Sequence, residues 1–309
     1  MHMDPTQTDI VEAYTALQDF ICGEIEKTDG EGTFLEDAWV RPGGGGGRTR
    51  VMSRGAVLEK AGVNFSAVEG DLSPTMEKNL GVSATRFFAS GVSIVMHPSH
   101  PWIPIIHMNI RYFETEGGEY WFGGGIDLTP HYIDLEEAAQ FHREVKAICD
   151  KYRPDFYERF KRAADDYFFL PHRDETRGVG GIFYDHLRAD EGISKRGLLD
   201  FGLDIGREFP RIYSDLINGN RDKTYTEGEK KWQLLRRGRY VEFNLIYDRG
   251  TRFGLTSNGR TESILMSLPE TAKWLYDFRP QKGGPEALTQ EWLRKDVDWI
   301  GLGTSGEVG

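Results

Sequence analysis

Apolar residues recur at helical spacing over residues 9–27, where Ile10, Tyr14, Leu17, Ile21 and Ile25 share one face and Asp9 with Glu12 makes a capping pair. From about 33 to 127 the period changes to two, with β-branched and aromatic residues between short turns, and this predicts strands. Helical spacing returns over 134–152 and 155–170, broken at Pro154. A strand is expected near 179–187, then helices over 194–217 and 227–236. Alternation predicts last strands over 239–247 and 252–256, and helices over 261–277 and 285–299 close the chain. Strands joined by short turns and helices in groups predict an α+β domain with a largely antiparallel sheet, not βαβ units. Gly43–Gly47, inside a glycine-rich tract at 42–48, is too short for an interdomain linker and predicts a mobile loop or lid.

Alternation also sorts chemistry onto one face. In residues 105–113 it places His107, Asn109 and Arg111 together, opposite Met108, Ile110 and Tyr112. In 91–97 it places Ser93 with His97, opposite Val92, Ile94 and Met96. If the two runs pair as a hairpin, five polar side chains meet on one surface. Two histidines, an amide and an arginine, with no Lys or Glu, make a poor solvent face and a good site. Asp127 follows Gly123-Gly124-Gly125, where missing side chains let a flat ligand approach the backbone.

Composition narrows the classes. Lys and Arg number 38 against 49 Asp and Glu, a net charge of −11, which disfavours nucleic-acid binding. Only Cys22 and Cys149 occur, so neither a disulfide framework nor a cysteine zinc site is expected. No apolar run is long enough for a membrane span, and the first residues carry no signal core, which predicts a cytoplasmic protein. The glycines fit neither a P-loop nor GxGxxG, and no GxSxG, HExxH or EF-hand motif appears.

Three long strings resemble the oxygen-dependent coproporphyrinogen III oxidase family. They are Gly91-Val92-Ser93-Ile94-Val95-Met96-His97-Pro98, Trp121-Phe122-Gly123-Gly124-Gly125-Ile126-Asp127-Leu128-Thr129-Pro130, and residues 239–249 from Arg239 through Glu242 and Asn244 to Arg249. Trp39-Val40-Arg41-Pro42 with the five glycines and Arg48, residues 165–173 and residues 260–269 resemble it too. The resemblance implies one domain over 1–309, a large, flat, mainly antiparallel sheet flanked by helices on both faces, and a homodimer built through residues 240–276. It implies oxidative decarboxylation of two propionates of coproporphyrinogen III to vinyl groups by O₂, giving protoporphyrinogen IX in haem biosynthesis, with no organic cofactor. Ser93, Asn109, Ile110, Arg111, Asn258, Gly259 and Arg260 would bind substrate, and His107 would donate a proton. Asp127 and Asp248 are candidates for the base or for pairing with pyrrole N–H groups. Some bacterial members are assigned a divalent metal on histidines matching His97, His107, His142 and His172. Spacing alone does not suggest that set: His142 shares the apolar stripe of Leu135, Ala138, Val145 and Cys149, as a core histidine would. The rival readings are a metal-dependent oxygenase and a tetrapyrrole-binding protein without turnover.

Overall fold

The computed structural model describes residues 4–72, 74, 77–78, 81–256 and 259–303. Helix α1 (Gln7–Asp29) starts two residues before the expected point, because Thr6 caps it and Asp9 returns the bond to Thr6 N–H. Strands β1 (Leu35–Val40), β2 (Gly45–Ser53), β3 (Leu58–Asp71), β4 (Arg86–Pro98), β5 (Ile105–Thr115) and β6 (Tyr120–Thr129) form an antiparallel meander in chain order. After α2 (Leu135–Asp150), α3 (Phe156–Tyr167) and the two-residue strands β7 (Phe169–Leu170) and β8 (Glu175–Thr176), strand β9 (Gly180–Leu187) joins β6 and completes seven strands. Then come α4 (Lys195–Asn220), α5 (Glu227–Ile246), α6 (Arg249–Thr256), α7 (Thr261–Leu265), α8 (Pro285–Trp292) and α9 (Trp299–Gly303).

The pleat gives the sheet two unlike faces. Val92, Ile94, Met96, Ile106, Met108 and Ile110 point to one, and α1, α2 and α4 bury them in the main core. On the other face α5 packs Tyr240 onto Val95 and Ile105. Helices therefore lie on both faces, and the α+β antiparallel expectation holds.

Two expected strands and one expected loop differ. Residues 239–247 and 252–256 are helical: the alternation of Val241, Phe243, Leu245 and Tyr247 is short, whereas Trp232, Leu235, Arg236, Tyr240 and Phe243 form a buried helical stripe. A Thr226–Glu229 capping box starts that helix. The tract at 42–48 is a turn over Pro42–Gly44 that runs into a strand. Gly45, Gly46 and Gly47 belong to β2, paired with both β1 and β3. A β-carbon on Gly47 would stand 2.4 Å from the Trp39 ring, so glycine admits the indole against the strand. The helix expected over 261–277 is confined to Thr261–Leu265, and that over 285–299 splits into α8 and α9.

Asp29 ties the end of α1 to the sheet. Its buried carboxylate accepts from the N–H groups of Gly32, Ala56, Val57 and Leu58 at 2.8–3.0 Å. Burial pushes its pKa up, the four donors pull harder, and the net shift is downward. Asp29→Ala should cost about 3 kcal/mol at pH 7, since it strands donors that faced a charge. A depressed folded pKa gives stability that is present above the unfolded value of about 3.9 and lost as pH falls through the folded one. Denaturant titrations should show the gap between wild type and Asp29→Ala narrowing below about pH 4; a gap independent of pH would refute this role.

Candidate active site

The second face is a grid of small and polar groups. One row across the strands runs Asp37, Thr49, Asn64, Ser93, Asn109, Gly125 and Phe183. A flanking row runs Trp39, Gly47, Ser66, Gly91, Arg111 and Gly123, and the other runs Val51, Gly62, Val95, His107, Asp127 and Gly181. The hairpin predicted from alternation thus forms, with Ser93 directly opposite Asn109. Ser93, His107, Asn109 and Arg111 are all half-buried. The Asn109 Oδ1 is buried without a hydrogen-bond partner among the described residues, an acceptor on the polar face.

His107 is held from behind. Its Nδ1 lies 2.8 Å from Asp127 Oδ1, and a carboxylate there makes Nδ1–H the donor, which leaves Nε2 without a partner among the described residues. Arg177 donates from Nη2 to both Asp127 oxygens at 2.8 Å. Its guanidinium is wrapped by the rings of Phe168, Tyr240 and Phe243 at 4.4–4.7 Å. Asp127 and Arg177 are 1% and 2% exposed. Burial would raise the Asp127 pKa, but the Arg177 charge and the bond from His107 outweigh it, so the carboxyl is held low and charged. Asp127 therefore anchors His107 and does not face the open sheet as a base. Sequence reading missed Arg177, which no alternation marks because it lies in the turn after β8.

The other predicted residues fall in different places. Asp248 caps α6: Oδ2 accepts from Thr251 N–H at 2.6 Å and Oδ1 from the Tyr167 hydroxyl at 2.7 Å. Burial raises its pKa and these donors lower it further, leaving an ionised cap. The Ile110 side chain is 1% exposed in the core on the far face, and its backbone is engaged by β4 and β6, so it offers the face nothing. Arg111 pairs with Asp185 at 2.9 Å and lies over Gly123, where a β-carbon would stand 2.5 Å from its Nε. Arg260 reaches the β1–β2 end of the grid, paired with Asp37 and 3.0 Å from Ser263 Oγ. Gly259 donates its N–H to Gly254 O at 2.8 Å. Asn258 lies outside the described residues.

The four histidines do not fit a shared metal. His142 lies on the core face with both ring nitrogens engaged, Nδ1 by the Tyr157 hydroxyl at 2.9 Å and Nε2 by Val179 O at 3.0 Å. His172 is bonded to Tyr247 and Glu242, both at 2.8 Å. His97 is fully buried under α5, with Nε2 on Ser267 O at 2.9 Å. Burial drops the pKa of His97 and of His142 to about 3, so both are neutral. Among the described residues no group of three or more His, Cys, Asp or Glu side chains is placed to hold a metal ion, and no helix is long and apolar enough to cross a membrane.

Known proteins match this chain over nearly its whole length. The family described as Coproporphyrinogen III oxidase covers residues 9–299. The oxygen-dependent coproporphyrinogen-III oxidase of Parasynechococcus marenigrum (strain WH8102) is 47% identical, over 92% of this chain and 85% of its own. That of Prochlorococcus marinus (strain MIT 9312) is 44% identical, over 92% and 90%. The chloroplastic coproporphyrinogen-III oxidase 1 of Arabidopsis thaliana is 46% identical, over 92% and 77%. The chain belongs to the coproporphyrinogen III oxidase family.

Proposed function

We propose that this protein oxidatively decarboxylates two propionate arms of coproporphyrinogen III to vinyl groups with O₂, giving protoporphyrinogen IX for haem biosynthesis. The observation that carries this reading is the His107 Nε2 and the Asn109 Oδ1, unpaired among the described residues, side by side on one face of the sheet between Arg260 and Arg111. The strands that meet Arg260 and carry Arg111, β1 and β5, are four spacings apart, about 19 Å. A disc with carboxylates on opposite edges spans such a face, with Asn109 accepting from a pyrrole N–H and Ser93 beside it.

Each arm that becomes a vinyl group loses CO₂, one proton and two electrons. O₂ takes the two electrons and two protons as hydrogen peroxide, so one further proton per arm must be supplied. In this reading His107 Nε2 delivers it, and the Asp127 carboxylate holds the ring in position through Nδ1. The electron-rich porphyrinogen itself is the reductant. Purified protein given coproporphyrinogen III should release about two CO₂ per protoporphyrinogen under air and none under argon. Turnover without O₂, or binding without turnover, would overturn the proposal. The buried, unpaired thiols of Cys22 and Cys149 suit a reducing, cytoplasmic setting.

We also propose that residues 240–276 carry a contact with a second copy of the chain. Leu245 and Ile246 at the end of α5, Phe253 and Leu255 on α6, and Trp274 and Leu275 in the segment after α7 are exposed there, large apolar side chains that a contact with a second copy would cover. Phe253→Glu with Leu255→Glu should shift the sedimenting species from dimer to monomer. A wild-type chain that sediments as an active monomer would remove this claim.

A further inference from the structure

The arginines around the face fall into two classes. Arg177 with Asp127, and Arg236 with Glu175, are ion pairs between buried side chains, and Arg237 is wholly buried beside Glu59. Separating such charges strands one of them in a dry interior. Arg260 and Arg111 are different. Arg260 is paired with Asp37, and the two side chains are 30% and 55% exposed; Asp37 sits on β1, the edge strand, with water on hand. Arg111 is paired with Asp185, at 36% and 22%. Asp185 Oδ1 also accepts from the His186 N–H at 3.0 Å, so it keeps a donor if the guanidinium leaves.

We infer that Asp37 and Asp185 are resident carboxylates that occupy Arg260 and Arg111 until the carboxylates of the ligand displace them. This rests on the face being the site for a polycarboxylate porphyrinogen. Binding is then an exchange of one carboxylate for another at each arginine, not an addition of charge to an empty cation. Exchange explains how a strongly acidic chain keeps two arginines at an open face without stray anions holding them. It also sets selectivity, because an uncharged arm cannot displace the resident acid. When an arm loses its carboxylate as CO₂, the acid returns to the guanidinium and helps the product leave.

The acid and its arginine are separable by mutation. Coproporphyrin III, the aromatic and unreactive counterpart of the substrate, serves as the probe, with binding followed by fluorescence. Asp37→Asn keeps the shape of the side chain and removes the competing charge, so it should tighten binding about two- to fivefold, the range for loss of an exposed ion pair. The uncharged tetramethyl ester should bind wild type and variant alike. In an Arg260→Ala background, Asp37→Asn should have no effect on the free-acid probe, because there is no guanidinium left to compete for. Asp185→Asn should act in the same direction through Arg111, which covers the case that the β1 variant is poorly folded. If Asp37→Asn weakens binding or leaves it unchanged while Arg260→Ala weakens it, the acid positions the arginine and the exchange is refuted, with the site intact. If Arg260→Ala binds the probe as wild type does, the reading of the face as a carboxylate site fails first.

Discussion

His107→Ala should lower kcat by about 10²–10⁴ and leave the affinity for coproporphyrin III nearly unchanged, the pattern for a proton-transfer group that adds little to ground-state binding. The expectation comes from how the ring is held. Asp127 Oδ1 accepts a hydrogen bond from Nδ1–H at 2.8 Å, so orientation and tautomer are set from the buried side, and Nε2 is the nitrogen presented to the ligand. No other described side chain can substitute for it: Asp127 is 1% exposed with both oxygens on Arg177, and Asp248 spends its oxygens on Thr251 and Tyr167. His107→Gln keeps a hydrogen-bonding end but cannot carry a proton, so it should be as slow as the alanine variant. The check is single-turnover formation of the first vinyl group at saturating O₂. A His107→Ala enzyme within threefold of wild type would show that the proton arrives by another route, and water admitted beside Asn109 would then be the place to look.

How much of this was legible beforehand depends on the kind of signal. Period-two alternation found the face, because in a strand every second residue must share it; Ser93, His107, Asn109 and Arg111 were placed correctly from spacing alone. Alternation also erred, where four apolar residues between 241 and 247 imitate a strand within a helix whose burial follows Trp232, Leu235, Arg236, Tyr240 and Phe243. Of five glycines read as flexibility, Gly45, Gly46 and Gly47 form a paired strand under Trp39, since absence of a side chain serves close approach as well as motion. The role of Asp127 was not legible either. A carboxylate after three glycines looks like a ligand-facing acid until Arg177, fifty residues on, is brought beneath it. The resemblance supplied Ile110 as a contact, and the pleat turns its side chain into the core.

Arg177→Met should be the most damaging single change to the fold near the site, costing about 3–5 kcal/mol, the scale for leaving one member of a buried pair alone. The methionine fills the volume among Phe168, Tyr240 and Phe243, so the loss is one of charge and not of packing. In wild type the folded Asp127 pKa is depressed, so its contribution is present above about pH 4 and is lost as pH falls through the folded value. Without Arg177, burial dominates and the folded pKa rises above the unfolded one. The sign of the linkage then reverses: the penalty grows as pH rises through the unfolded value of about 3.9 and fades when the carboxyl can take up a proton. Denaturant titration should therefore find Arg177→Met closer to wild type at pH 4 than at pH 8. Adding Asp127→Asn to it should restore most of the lost stability, since no charge is left buried, yet not the activity, since His107 has lost its anionic partner. A single variant that loses less than about 1 kcal/mol at pH 8 would mean that water reaches Asp127 and that the pair is not the sealed anchor described.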